Sequence, residues 1–507
     1  MDYSVIPVPV LTVLDTLKNK GFRAHVVGGC VRDLLLGREP KDWDITTDAK
    51  PDQVLESFPD SFYENDFGTV GVKVEPFHKE GRPDREHDVI EVTTYRAESS
   101  YSDRRRPDQV SFVSNLTEDL SRRDFTMNAI ALEVTEPASP SGASREIDII
   151  DPFHGQEDIR QKMIRTVGNP EQRFGEDALR MMRAVRLYAE LREPGTDTAD
   201  NWVIDYPTVQ AIRKHAQLLC HVSRERIRDE FSRIIVSGNP SEGVELLRTT
   251  GLLHDIIPEL EDGVGIGQNL HHKYEIYEHN LLALRYCPST KLDVRLASLL
   301  HDVGKPRTKR GEGYRSTFYN HDHVGARMTK DILRRLRYPV SIIERVTLLV
   351  DNHLFYYNVG EVTEASVRRL IKRVGLENMR DLMAVRIADR LGSGVPKAKP
   401  YKLRHLEYMI DKVSNDPVSV KMLAIGGSDL MNDLGIEPGP KLGAVLDVLL
   451  SEVIGDPSLN LRDSLLARAK SLSKEDIDTL RERAREVIEE KKEEDDRDIR
   501  SRHRVAK

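Results

Sequence analysis

The chain predicts an α+β protein, with an α/β head at its amino end and an all-helical remainder. Residues up to about Val134 alternate short apolar runs with helical stretches. From Phe174 onward nearly everything reads as amphipathic helix, and Pro and Gly breaks near Gly195, Gly238, Gly251 and Pro288 divide it. At 507 residues the chain is too long for one core. The expected division is a head over 1–165, a helical neck over 166–265, a histidine-rich helical domain over 266–400 and a helical tail over 401–507.

In the head, Gly21 to Val27 (GFRAHVV) predicts a buried strand, Gly28 and Gly29 a sharp turn, and Val31 to Leu36 the first turns of a helix. Backbone N–H groups at such a turn point at an anion, and Arg32 adds a charged, multidentate donor. Asp42 and Asp44 alternate along an extended segment, Asp42 to Thr46, so both carboxylates project to one face and can share Mg2+. That metal offsets the charge on attacking and leaving oxygens in phosphoryl transfer. Gly71 to Val74 and Val89 to Tyr95 predict further strands. Glu91 is the candidate third carboxylate, to bind metal or take a proton, with Asp88 as its competitor and a strand-end structural role open to both.

Between Arg96 and Val110 the segment AESSYSDRRRPDQ is polar and flanked by strands, as a segment closing over a substrate would be. Arg122 to Ala129 is expected to open a helix after the capping-type Ser121, with Arg123 and Asp124 at its start. EPASPSGASRE, Glu136 to Glu146, reads as a surface loop. In the neck, Asp177, Arg180, Arg183 and Arg186 recur every three residues and would form a slanting stripe on one helix, while Leu179, Met182, Val185 and Leu187 pack in other directions. The tail, Lys474 to Lys507, is dense in both charge signs and is expected to be an exposed helix that frays into disorder.

Composition narrows the class. A 39% hydrophobic and 32% charged chain fits a soluble, helix-rich protein. No apolar run approaches the roughly 18 residues of a membrane span, and MDYSVIPVPV lacks the basic start of a signal peptide, so a cytoplasmic location without membrane partners is expected. Cys30, Cys220 and Cys287 are scattered, which argues against disulfides and structural zinc. A net charge of −8 argues against wholesale coating of nucleic acid. Local basic clusters remain, Arg104 to Arg106 and Arg122 with Arg123, suited to a triphosphate and an RNA end or to a solvated face.

The segment GGCVRDLLLGREPKDWDIT resembles the nucleotide-binding head of class II tRNA nucleotidyltransferases and bacterial poly(A) polymerases, part of the polymerase beta superfamily. The resemblance runs from about Gly21 to Leu187. It implies a polymerase-beta-like head in which Asp42 and Asp44 hold Mg2+ while Gly28, Gly29 and Arg32 hold the triphosphate. It further implies that Arg123 and Asp124 hold the nucleotide sugar, and that the segment after Arg96 is the flexible loop of the step from C to A addition. Glu176 to Arg180 matches the E-D-x-x-R motif of the same family, implying that Asp177 and Arg180 select the base. The chemistry agrees: cytosine and adenine each show an amino donor beside a ring-nitrogen acceptor, which an Asp acceptor and an Arg donor complement. Arg183 and Arg186 then serve the triphosphate or fix the helix.

Seven of the sixteen histidines fall between His271 and His353. Leu299 to Lys305 (LLHDVGK) resembles the HD phosphohydrolase signature. His301 and Asp302, with His279, His321, His353 and Asp389, would hold a second divalent metal, and Asp351 is the alternative to Asp389. The resemblance thus implies an enzyme that extends a tRNA 3′ end with CCA, or part of it, from CTP and ATP and releases pyrophosphate. Alternatives are a CC-only or A-only adding enzyme, a poly(A) polymerase, an HD-type phosphohydrolase with a degenerate head, and a regulatory protein that binds nucleotides without turnover.

Overall fold

The structure, a computed structural model, describes residues 5–65, 68–77, 87–99, 109–135, 145–195, 201–268, 273–355, 357–394, 399–414 and 420–505. Most of the segment expected to close over the substrate, with Arg104, Arg105 and Arg106, and most of the Pro/Ser/Gly loop lie outside the described residues. The chain divides into two units, 1–351 with 392–394, and 352–391 with 395–507.

The first unit begins with the helix Val8–Asn19 (α1) and the strand Ala24–Val27 (β1), then Gly29–Leu35 (α2), Asp44–Thr47 (β2), Pro51–Ser57 (α3), Ser61–Asn65 (β3), Thr69–Val74 (β4) and Asp88–Thr94 (β5). Next come the hairpin Arg96–Ser99 (β6) and Gln109–Phe112 (β7), then Leu116–Ser121 (α4), Ala131–Thr135 (β8), Glu146–Ile150 (β9) and Gly155–Arg160 (α5). Among the described residues, seven strands form one mixed sheet in the order β3-β4-β5-β2-β1-β8-β9. β2 and β5 run parallel. The expected strand is shorter than its apolar run, because Gly21 at φ +87° ends α1 and donates its N–H to the Lys18 carbonyl at 2.8 Å.

Burial explains why these segments are strands. All four residues of β1 are buried. In β5, Ile90, Val92 and Thr94 are buried while Val89 and Glu91 face the other way, and each large apolar side chain so buried contributes about 1.5–3 kcal/mol. Register then fixes the functional face: Asp44 pairs with Glu91, Glu91 with Gly71 and Gly71 with Phe62, in one row across four strands.

The helices of the first unit continue with Pro170–Glu176 (α6), Leu179–Leu191 (α7), Tyr206–His215 (α8), Arg224–Val236 (α9), Pro240–Thr249 (α10), Leu253–Ile256 (α11), Pro258–Glu261 (α12) and Ile276–Arg285 (α13). Leu292–Leu300 (α14), Lys305–Thr308 (α15), His321–Arg335 (α16) and Val340–Asp351 (α17) complete it. Helix starts follow local chemistry: Asn169 accepts from the Glu171 N–H at 2.9 Å, with Pro170 in the first turn. Leu179, Met182, Val185 and Leu187 are all buried, as their spacing predicts.

Two expectations need correction. Ser121 does not cap a following helix; it ends α4, and Arg122 to Asp124 form the turn into the short 3-10 helix Thr126–Asn128. Asp177 is not on the arginine helix either. It is extended, φ −140° and ψ 106°, between α6 and α7.

The second unit contains Glu364–Val374 (α18), Leu376–Gly392 (α19), Tyr401–Ser414 (α20), Gly427–Leu434 (α21), Pro440–Gly455 (α22), Arg462–Leu472 (α23) and Ile477–His503 (α24). Leu430, Val445, Leu449, Leu465, Leu472 and Leu480 form its core. The charged tail does not fray where expected: α24 is continuous to His503, because Leu480 and Ala484 bury into that core and His503 Nε2 meets Asp411 Oδ2 at 2.7 Å.

Candidate active site and histidine cluster

The head site is built on the two central strands. Trp43 is buried between exposed Asp42 and partly buried Asp44, so the alternation expected of D-W-D is present although β2 begins only at Asp44. Burial pushes the Asp44 carboxyl above its ordinary value; Arg123 pulls it down, while Asp42 and Glu64 push it further up. Glu91 keeps an edge in solvent, yet burial of its other side and the charges of Asp44, Glu64 and Asp42 raise it to about 7. Asp42, Asp44, Glu64 and Glu91 bring oxygen donors and surplus negative charge near one another, and a hard divalent cation fits such chemistry. Asp88 drops out as the competitor of Glu91, since its buried Oδ2 accepts from the Phe77 N–H at 2.9 Å.

Sequence reasoning missed Glu64. It lies where the register between β3 and β4 shifts, between Tyr63 and Asn65, and such an irregularity re-aims a side chain. Nothing in the local sequence announces it.

Beside the carboxylates, the β1–α2 turn is closed by Gly28 at φ +87°. A Cβ there would stand 3.0 Å from both Arg123 Nη1 and Asp44 Oδ2, so only glycine fits. Gly29 opens α2, and Arg32 lies over it, held by Asp33 Oδ1 at 2.7 Å and by Asn128 Oδ1 at 3.0 Å. Asp119, also missed, organises this edge. It is buried, accepts from Arg122 Nε at 2.9 Å and from Thr46 Oγ1 of β2 at 3.1 Å, and lies 3.6 Å from Arg123 Nη2. Burial alone would raise its pKa; Arg122 and Arg123 outweigh burial and hold it low. The readable signal was an acid three and four positions before two arginines.

Arg123 and Asp124 do not pair with each other. Asp124 accepts from Arg183 Nε of α7 at 2.6 Å, from Asn128 Nδ2 at 3.1 Å and from the Phe125 N–H at 2.9 Å. Against the cost of burial, Arg183 and Asn128 keep its carboxyl well below the usual range.

The neck residues are arranged differently from the expected stripe. Asp177 pairs with Arg226 of α9, Nη2 to Oδ2 at 2.6 Å and Nη1 to Oδ1 at 3.3 Å, and its Oδ1 also accepts from the Leu179 N–H at 3.1 Å. Arg180 donates to Glu176 at 2.7 Å and to the Arg122 carbonyl at 3.0 Å. Of the two roles open to Arg186, its bonds are those of fixing the helix. Only 4% exposed, it is held by Glu230 and Glu190 at 2.6 Å each and fastens α7 internally.

In the histidine-rich part, His279, His301 and Asp302 converge, all buried. His279 Nε2 and His301 Nε2 are 3.0 Å apart and lie 3.1 and 3.3 Å from Asp302 Oδ2; His321 Nε2 lies 3.3 Å from Asp302 Oδ1. His301 Nδ1 donates to the Ser298 carbonyl at 2.8 Å and His321 Nδ1 to the Phe318 carbonyl at 2.7 Å, so each Nε2 lone pair faces the cluster. That orientation fits a divalent cation. Burial works against the Asp302 charge, but His301 and Lys305 overcome it and hold the carboxyl well below its ordinary value. Gly304 makes the approach possible: a Cβ there would lie 2.3 Å from the His321 carbonyl oxygen and 2.5 Å from the Gly325 nitrogen. Asp351 receives His323 Nδ1 at 2.6 Å in an exposed position. Buried His353, and Asp389, which receives Arg386 Nη1 at 2.7 Å, belong to the second unit.

A mixed sheet with clustered carboxylates on its central strands beside a glycine turn and paired arginines defines a nucleotidyltransferase, and the comparisons agree. Residues 24–165 match the family described as the poly(A) polymerase head domain, 203–263 that of the probable RNA and SrmB-binding site of polymerase A, and 275–393 the HD domain. The chain belongs to the CCA-adding enzyme family. It is 30% identical over 474 residues to the CCA-adding enzyme of Limosilactobacillus reuteri, covering 92% of this chain and 97% of that one. It is 44% identical over 255 residues to the CCA-adding enzyme of Geobacillus sp. strain WCH70, where the match spans 50% of this chain and about half, 55%, of the relative. The crystal structure of the Bacillus stearothermophilus CCA-adding enzyme in complex with CTP superposes with a TM-score of 0.56 at 28% identity, over 92% of this chain and 98% of that one. Among the described residues no helix is long and apolar enough to cross a membrane.

Proposed function

We propose that this chain adds CCA, or part of it, to tRNA 3′ ends from CTP and ATP, in the cytoplasm. The observation that carries the reading is the row Asp44–Glu91 with Asp42, set against the Gly28 turn and Arg123. The relative from L. reuteri, matched over 97% of its length, supports it. In the reaction the RNA 3′ oxygen bonds to the α-phosphorus of the nucleotide, the bond from that phosphorus to the bridging oxygen breaks, and pyrophosphate leaves. Mg2+ held by Asp42 and Asp44 would supply charge neutralisation at those oxygens. Glu91, paired in register with Asp44, is the group placed to take the 3′-hydroxyl proton. Gly28, Gly29, Arg32 and Arg123 surround the triphosphate, and Asp124 acts by holding Arg183. Asp177 and Arg180 read the base edge. Each oxygen of a carboxylate accepts two hydrogen bonds, so Asp177 can hold Arg226 and still accept from a base amino group.

The division into a head over 1–165, neck over 166–265, HD-like domain over 266–400 and tail over 401–507 is proposed with this reading. The test is incubation with Mg2+ and tRNA ending before C, CC or CCA, each nucleotide supplied separately, with products resolved to single residues. Growth that stops at CCA, and is lost in Asp42→Ala, is expected. A ladder of A would replace the reading with poly(A) synthesis.

A second activity, hydrolysis of phosphoesters at His279, His301 and Asp302, is favoured by the convergence of Nε2 atoms on one carboxylate. Loss of metal-dependent release of phosphate from an RNA end in His301→Ala would support it. Absence of such release in the wild type would remove it.

A further inference from the structure

We infer that Phe62 is a stacking platform for the unpaired 3′-terminal base of the RNA acceptor; the inference rests on the nucleotide-adding reading and names how its acceptor strand is held. Phe62 is the last member of the row Asp44, Glu91, Gly71, Phe62, and residues paired in register project to the same face of a sheet. The ring crosses its neighbour strand: its outermost atom, Cζ, stands only 2.6 Å from the point a Gly71 Cβ would occupy. The ring tip therefore reaches over β4 toward Glu91, through a notch that only a glycine leaves open. Phe62 is 40% exposed and Val89 on the same face 37%. Lys73, two residues beyond Gly71 on that face, places Nζ 5.8 Å from the ring centre.

An exposed ring with a cation over it, beside the reacting carboxylates, matches what single-stranded RNA offers, a flat base and a phosphate. Proteins bind unpaired bases by stacking them on aromatic side chains and meeting the backbone with Lys or Arg. The acceptor's 3′-hydroxyl must come to Asp44 and Glu91, so its own base lies within one nucleotide's reach of them, where the Phe62 ring projects. The incoming nucleotide is bounded on the opposite side, by the Gly28 turn and Arg123.

The alternative is that the ring merely covers Gly71 and stiffens an edge strand. Two measurements separate these. In steady-state addition of C to tRNA lacking CCA, Phe62→Leu is expected to raise KM for the RNA about tenfold with KM for CTP unchanged, since one stacked base contributes at about that level; Phe62→Tyr restores the wild-type value. Equal rises in both KM values with a lowered melting temperature, or no rise in either, overturn the inference. Phe62→Trp adds an exposed reporter to a chain whose Trp43 and Trp202 are buried. Its fluorescence is expected to be quenched by a short single-stranded oligoribonucleotide ending in CC and not by CTP alone. Quenching in a protein that adds no nucleotide would fault the nucleotide-adding reading and with it the acceptor role, leaving only a base-stacking site, and no quenching in an active protein would fault this inference alone.

Discussion

The head carboxylates and the aspartate of the histidine cluster are the same chemical group under opposite conditions. Around Asp44 and Glu91 the near neighbours include Asp42 and Glu64, and both carboxyls are pushed up. Around Asp302 the neighbours are His279, His301, His321 and Lys305, with Lys305 Nζ at 2.5 Å, and the carboxyl is held down. The head site leaves Glu91 at solvent on the face of a sheet, whereas the other site is enclosed among helices. An anionic cluster of this kind is suited to metal cations that come and go with the nucleotide. A cluster already balanced by its own histidines and lysine is suited to a cation that stays.

The largest expected effect breaks the two sites apart. Asp44→Asn should lower nucleotide addition at least about 10³-fold, as loss of a reacting-centre group does, while His301→Ala leaves it within about twofold. Single-turnover rates with one tRNA acceptor decide this, and a large loss in His301→Ala would mean the clusters serve one reaction.

Next in size is metal-linked stability. A divalent cation at about 100 times its dissociation constant should add about 2.7 kcal/mol to unfolding through the histidine cluster. Denaturation of wild type and His301→Ala, each with and without metal, should show the gain only in the wild type. An undiminished gain in His301→Ala would place the strong site in the head.

The smallest effect is in pH. Glu91 is raised from an ordinary 4.5 to about 7 in the metal-free fold. The folded protein therefore binds this proton more tightly than the unfolded chain, so the associated stability is whole below about pH 4.5 and is lost as pH rises through about 7. Asp302 runs the other way, its contribution being present above its ordinary 3.8 and lost as pH falls toward its lowered value. In chelator, the denaturation midpoint of wild type should fall more between about pH 5 and pH 8 than that of Glu91→Gln. Identical falls would show that Glu91 is not under strain.

What was legible in the sequence was local. The strand, glycine turn and helix around Gly28, and the alternation of Asp42 and Asp44 about buried Trp43, depend on fewer than about 25 consecutive residues, and period and turn chemistry report them directly. The convergence of His279, His301, Asp302 and His321 was legible from the resemblance of Leu299 to Lys305 to the HD signature and from the histidines around it. Partners supplied by distant elements were not. Arg226 is 49 positions from Asp177, and Glu230 is 44 from Arg186. The break at Asp177 was missed because the three-residue repeat continues through it, although an Asp just before a helix start is itself a stop-and-start signal; here it accepts from the Leu179 N–H.

Gly304 and Gly325, neither of them a candidate metal ligand, meet backbone to backbone and set how near His321 comes to Asp302. One methyl group at Gly304 would wedge α16 outward and widen the ligand spacing while leaving every histidine in place. A lineage that no longer needed the second site could therefore retire it by a change that no inventory of its ligands would reveal, so an intact histidine set is a poorer guide to a working cluster than the smallest residue beside it.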